Sequence, residues 1–117
     1  VSDCVERYIS TVLKVKPIRP INKAIFAPIA SWTEEKPYDG PSFGTNLERN
    51  NATYIFNKYL KKACVENDFI FISIFEDMLN NDGTTNSNFL DDFGTGIHLS
   101  QKSMPLILKT LKANKMI

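Results

Sequence analysis

Apolar residues recur at helical spacing in the first part of the chain. Val5, Tyr8, Ile9, Val12 and Leu13 follow one another at alternating intervals of three and one residues, which predicts a helix over residues 5–15. Ser2 or Asp3 is expected to cap the start of this helix through a side-chain oxygen. Prolines at positions 17 and 20 are expected to end it.

Two further segments have the same periodicity. The longer one predicts a helix from about residue 47 to residue 67, with one apolar stripe formed by Ala52, Ile55, Phe56, Tyr59, Leu60, Ala63 and Cys64. The last predicted helix follows Ser103 rather than Ser100. A cap at Ser100 would place Pro105 beyond the first turn, where its ring would clash with a preceding carbonyl, whereas a cap at Ser103 keeps it inside that turn.

Two short apolar runs lie between these helices. Residues 24–29 are predicted to form a buried strand, with Pro28 at or past its end because proline cannot donate to a ladder. Residues 69–75 are almost entirely apolar, as expected for a parallel strand that is covered on both faces. Long loops are predicted over residues 30–45 and 76–103. The second loop has one helical turn near Glu76 and a tight turn at residues 80–83.

The predicted order of helix, strand, helix, strand and helix indicates an α/β protein with parallel strands and helices on both faces. The 117 residues fit a single domain. A typical sheet has about five or six strands, so two strands suggest the C-terminal part of a larger domain. The chain starts at Val1 rather than at methionine, and we expect further sequence before it.

Composition excludes several classes of function. The formal net charge is +1, which gives no general attraction to nucleic acid or to an anionic membrane. The longest apolar runs are too short to span a bilayer. Cys4 and Cys64 are far apart in the sequence and do not form a disulfide framework. We interpret both as small buried hydrophobic residues, and their use favours a reducing cytoplasmic location.

The only histidine, His98, belongs to a motif that precedes the last helix. The run Gly96-Ile97-His98-Leu99-Ser100 resembles the final conserved block of the SGNH (GDSL-type) hydrolases, which reads Asp-x-x-His before a C-terminal helix. The helix ending at residues 63–67, the strand 69–75 and the Asp82-Gly83 loop also resemble the elements that precede this block in the family. The resemblance covers nearly the whole chain, although only the histidine block is specific.

This resemblance implies a flavodoxin-like three-layer α/β/α fold and ester or acyl hydrolysis by a serine nucleophile. His98 would be the general base, acting on a small acylated molecule or an acetylated glycan. The family implies no metal and no cofactor.

The chain departs from the family in two ways. Thr95 occupies the position of the family aspartate and cannot orient the imidazole as a carboxylate does. If residues 93–95 are an insertion, Asp92 becomes the displaced acid, and the pliable backbone at Gly94 and Gly96 would let it fold back onto His98. The serine motif and the oxyanion-hole blocks are absent from these residues, so the nucleophile is expected outside them and the chain alone is expected to be inactive.

The loss of aspartate at position 95 favours an alternative function. In this alternative the chain is a non-catalytic α/β binding or interaction module, either a degenerate hydrolase relative or a flavodoxin-like interaction domain.

Four other groups of residues carry weaker signals. Ser31-Trp32 could line a substrate pocket or could simply cover the end of the sheet. Glu76-Asp77 could bind a cation, but two acids more often form a solvated turn. The glycosylation sequon Asn51-Ala52-Thr53 lies inside a predicted helix, which favours a chance occurrence. Lys58, Lys61 and Lys62 are expected to form a solvated helix face.

Overall fold

The computed structural model describes residues 1–15, 23–33, 44–91 and 98–117. The main elements, in chain order, are α1 (Ser2–Lys14), β1 (Ala24–Phe26), α2 (Asn46–Glu66), β2 (Ile70–Ile72) and α3 (Met104–Ala113). Three single-turn 3₁₀ helices lie between β2 and α3, at Glu76–Met78, Ser87–Phe89 and Gln101–Ser103. The first of them confirms the predicted helical turn near Glu76.

The two strands form a parallel pair, as the apolar runs predicted. Ala24, Ile25 and Phe26 lie opposite Ile70, Phe71 and Ile72. Each strand has three residues, which is shorter than the predicted six and seven. Pro28 lies past the end of β1, as predicted. The described residues therefore show a mixed α/β chain with an open two-stranded sheet.

One hydrophobic cluster holds α1 and α2 against β1. Its buried members are Val5, Ile9, Ile25, Ala27, Leu60 and Cys64. Burial raises the pKa of the Cys64 thiol, because desolvation disfavours the thiolate. The prediction of buried cysteines is therefore correct for Cys64 but wrong for Cys4, which is exposed.

The start of α1 differs from the prediction, whereas its end at Lys14 agrees with it. Ser2 and Asp3 lie inside the helix, and the N-cap residue Val1 has no side chain that could cap it. At the other end, Lys23 donates from Nζ to the carbonyl oxygens of Val12 and Val15. The Val12 carbonyl also accepts from the Val15 amide at 3.1 Å. The ammonium therefore adds a second donor at the C-terminus of α1, where carbonyls lack helical partners, and ties this end to the start of β1.

The second helix begins and ends close to the predicted residues, and the C-terminal half of the predicted stripe is confirmed by buried Leu60 and Cys64. The N-terminal part of the stripe is wrong. Ile55 and Tyr59 are 47% and 45% exposed, and Ala52 is also exposed. The residues of α2 that are buried are Asn46, Asn50, Asn57, Leu60 and Cys64. Three asparagines occupy this face, so a search for apolar residues placed the stripe on the wrong side of its N-terminal half.

A second hydrophobic cluster lies around the loop after β2. Its buried members are Ala30, Ile74, Phe75, Met78 and Leu90, and α3 packs against them through Leu106 and Ile107. This helix starts directly after Ser103 with Pro105 in its first turn, as predicted. The predicted capping role of Ser103 is wrong, because its hydroxyl donates to the carbonyl of Ser100 at 2.6 Å. None of the described helices could span a membrane, given their length and polarity.

Candidate functional site

His98 lies in the long connection that leaves the carboxyl end of β2. A short antiparallel bridge between Leu90 and Leu99 closes the hairpin that contains it. Two backbone hydrogen bonds flank this bridge: Asp91 N–H donates to the His98 carbonyl at 2.8 Å, and Ser100 N–H donates to the Phe89 carbonyl at 2.9 Å. Ligands of open α/β sheets bind beyond the carboxyl ends of the strands. The connection that carries His98 starts at this end of β2.

The bridge places Asp91 directly opposite His98. Leu90 and Leu99 both pack against the second cluster. Successive residues of extended chains point to opposite faces, so the side chains of Asp91 and His98 share the other face of the hairpin. The Cβ atoms of directly opposed residues are about 5 Å apart. The register thus brings one carboxylate beside the imidazole.

The environments of these two side chains differ. His98 is exposed, and no described residue makes a hydrogen bond to its ring. Asp91 is half-buried, and its Oδ1 atom is buried without a hydrogen-bond partner among the described residues. An unpartnered buried carboxylate oxygen costs free energy, and it is available as an acceptor for a nearby N–H donor.

The predicted pairing of Asp92 with His98 lies outside the described residues, as do Thr95 and the rest of the segment 92–97. Sequence reasoning assigned the acid to Asp92 from the spacing of the family motif. That spacing does not reveal the register of the hairpin. The register identifies Asp91 as the residue opposite His98.

A buried polar network joins the loop after β1 to the loop after β2. The carboxamides of Asn46 and Asn50, one helical turn apart on α2, both donate to the hydroxyl of Thr85 at 3.0 Å. Asn46 Oδ1 accepts from the Thr85 amide at 2.8 Å, and Asn50 Oδ1 accepts from the Ser31 amide at 2.9 Å. The Thr85 hydroxyl donates to the Ser31 carbonyl at 2.6 Å.

This network went undetected in the sequence. Its members are ordinary polar residues, and buried polar groups are paired through contacts that a sequence does not display. One local signal was present at the start of α2. Thr45 and Glu48 form a capping box, in which Thr45 Oγ1 accepts from the Glu48 amide at 3.1 Å and the Glu48 carboxylate accepts from the Thr45 amide at 3.2 Å.

Ser31 and Trp32 are held by Arg49 at the start of α2. The guanidinium donates from Nε to Ser31 Oγ at 2.7 Å and from Nη2 to the Trp32 carbonyl at 3.0 Å. It also lies 4.5 Å from the centre of the Trp32 ring, within the range of a cation–π contact. These residues are partly exposed at the carboxyl side of β1, and their predicted role in a substrate pocket stays a prediction.

The remaining candidates lie on the surface. Glu76 and Asp77 are exposed, and the described residues contain no group of three histidine, cysteine, aspartate or glutamate side chains that could hold a metal ion. Lys58, Lys61 and Lys62 are exposed on α2, which confirms the prediction of a solvated face. Asn51 is exposed within α2. Comparison with family models, characterised proteins and solved structures finds no match to this chain.

Proposed function

We propose that this chain supplies the general base of an ester or acyl hydrolase of the SGNH type. His98 is the base, and the serine nucleophile lies on a segment outside these residues. The substrate is a small acylated molecule or an acetylated glycan, and the parent domain is a flavodoxin-like three-layer α/β/α sandwich. The motif around His98 supports this proposal, together with the position of that motif after β2 and before α3.

The observation that carries the proposal is the opposition of Asp91 and His98 across the Leu90–Leu99 bridge. A neutral imidazole can accept the proton of a serine hydroxyl as the serine attacks an acyl carbon. A carboxylate at the other ring nitrogen fixes the tautomer and stabilises the imidazolium that forms. The proposed site therefore needs a carboxylate beside one ring nitrogen of His98, with the other ring nitrogen accessible to the serine.

Two aspartates are candidates for the orienting acid. Asp92 is the residue that the family spacing indicates when residues 93–95 are taken as an insertion. Asp91 is the residue that the backbone register places opposite His98, with one carboxylate oxygen unpartnered among the described residues. Catalytic hydrogen bonds are often long before substrate binds, so we expect the contact between Asp91 and the ring to form in the substrate complex.

The tautomer of His98 tests the proposal and identifies the acid. Long-range proton–nitrogen NMR spectra, recorded where the ring is neutral, are expected to show mainly the Nδ1–H tautomer, which is the minor form of a free imidazole and leaves Nε2 as the base. The carboxylate selects which ring nitrogen carries the proton. Of the two variants Asp91→Asn and Asp92→Asn, the one that removes the orienting acid is therefore expected to shift the ratio of the two His98 tautomers. Asp82→Asn, in the remote turn at residues 80–83, is the matched control. An unchanged ratio in both variants would contradict the proposal.

The chain by itself is expected to be inactive, because it carries the base without its nucleophile. Purified residues 1–117 should hydrolyse an activated ester no faster than His98→Ala does. Activity that disappears in His98→Ala would overturn the placement of the nucleophile outside these residues. Spectrophotometric release of the leaving group is a sufficient measurement.

One observation favours the alternative, a non-catalytic α/β module. The imidazole of His98 is exposed, and no described residue hydrogen-bonds to its ring. In a solvated histidine the two tautomers coexist in the ratio of the free side chain. The NMR measurement above therefore separates the two functions.

A further inference from the structure

We propose that Ser100 is a positioning residue for His98. Its hydroxyl holds the hairpin in the register that places Asp91 opposite the imidazole. The importance of this register for catalysis rests on the proposed function, because a general base needs its orienting acid at a fixed place. The hold of Ser100 on the register is a property of the hairpin itself, and it can be tested separately.

The first argument comes from the hydrogen bonds of Ser100 at the base of the hairpin. Its amide donates to the Phe89 carbonyl at 2.9 Å, and its hydroxyl donates to the adjacent Asn88 carbonyl at 2.7 Å. Its carbonyl accepts from the amide of Ser103 at 3.1 Å and from the hydroxyl of Ser103 at 2.6 Å. The amide, hydroxyl and carbonyl of Ser100 together join the turn at residues 87–89 to the turn that precedes α3.

The second argument is that few other contacts fix the register. Among the described residues, one bridge and two backbone hydrogen bonds pair the arms of the hairpin, and the bond from Ser100 Oγ to Asn88 is the side-chain hydrogen bond between them. Leu90 anchors the first arm by burial, at 4% exposed, whereas Leu99 on the second arm is only half-buried. A pairing this short is marginal by itself, and a slip of one residue would turn the imidazole to the opposite face.

The third argument concerns the turn to which the hydroxyl binds. Asn86 Oδ1 accepts from the Asn88 amide at 3.0 Å and so caps this turn. The Asn86 amide donates to the carbonyl of Met78 at 2.9 Å, and Met78 is fully buried in the second hydrophobic cluster. The Ser100 hydroxyl therefore connects the arm that carries His98 to a turn that is tied to the core.

The experiment compares the unmodified chain with Ser100→Ala by two NMR measurements. Deuterium exchange of the Asp91 amide reports opening of the hairpin, because this amide bonds to the His98 carbonyl. Loss of one hydrogen bond should speed this exchange by about fivefold. The Nδ1–H fraction of the neutral His98 ring should fall towards that of a free imidazole, because the ring spends less time beside its acid.

Two further variants separate the hydroxyl from other effects. Ser100→Thr keeps a hydroxyl, and the extended backbone at this position (φ −82°, ψ 169°) accepts a β-branched residue, so both values should return to those of the unmodified chain. Ser87→Ala removes an exposed hydroxyl from the opposite arm and should change neither value. Circular dichroism of each variant checks that the fold is retained.

The outcomes distinguish this inference from the proposed function. Unchanged Asp91 exchange in Ser100→Ala, or equal acceleration in Ser87→Ala, would overturn the hold of Ser100 on the register. Faster exchange with an unchanged, predominant Nδ1–H tautomer would show that the hydroxyl stabilises the hairpin without positioning the ring, and would also overturn the proposal. A free-imidazole ratio in the unmodified chain would instead overturn the proposed function, and Asp91 exchange would still decide whether Ser100 holds the register.

Discussion

At the scale of single residues, Asn50 is a buried side chain that connects several parts of the polar network. It is 2% exposed, and it joins Ser31, Thr85 and the carbonyl of Gly83. Asn50→Ala removes these three hydrogen bonds and leaves the Ser31 amide without its acceptor. We expect a loss of roughly 2–4 kcal/mol in the free energy of unfolding, measured by urea denaturation.

Its neighbour Asn51 provides the control. Asn51 is exposed on the same helix, so Asn51→Ala should change the free energy of unfolding by less than about 0.5 kcal/mol. Equal losses in the two variants would mean that helix propensity, not the network, determines the result.

The network also shows where residue-level prediction failed. Asparagine is mostly exposed in proteins, and nothing in the sequence distinguishes Asn50 from Asn51. Their burial is decided by the angular position of each side chain on α2 and by the loops that lie against it. Those loops come from residues 19 positions before Asn50 and 35 positions after it, beyond the reach of any local pattern.

At the scale of elements, helix bounds were predicted well because their signals are local. The position of Pro105 placed the start of α3, and apolar spacing placed the ends of α2 within one residue. The strands are shorter than their apolar runs, because strand length is set by pairing. Only three residues of each strand pair. The flanking apolar residues Ala27 and Ile74 are instead buried in the first and the second hydrophobic cluster, respectively.

The contact between Lys23 and the end of α1 gives a prediction at this scale. Lys23→Met keeps most of the aliphatic stem and removes the ammonium that bonds to Val12 and Val15. We expect a loss of roughly 0.5–1 kcal/mol, in the range for a cation at a helix C-terminus, together with a lower Tm. Lys62→Met, at an exposed position of α2, should leave the Tm unchanged, and a similar fall in both variants would contradict the assignment.

At the scale of the whole molecule, the described residues divide into two hydrophobic clusters that differ in how firmly their helices are held. The buried residues of α2 include Leu60 and Cys64, whereas α3 has no buried residue. Local opening costs least where few apolar groups are buried. Amides of α3 should therefore exchange with deuterium faster than amides at residues 60–64, as measured by NMR or mass spectrometry. Equal protection would show that the chain opens only as a unit.

The α/β class followed from the order of helices and strands. The parallel sheet followed from residues 69–75, which are almost entirely apolar and so are expected to be covered on both faces. The three-layer sandwich and the larger parent domain remain predictions. Whether Asp91 or Asp92 serves His98 also remains open to experiment. Spacing along the chain cannot decide it, because a hairpin makes residues seven positions apart face each other.

The buried face of α2 has a consequence for how this sequence can change. Its first half carries the carboxamides that hold the loops, and its second half carries the apolar residues of the first cluster. Inserting or deleting one residue between Asn50 and Leu60 would rotate one half against the other by about 100° and would expose one of the two sets. Relatives of this chain should therefore vary in loop length while keeping the number of residues between these two positions constant.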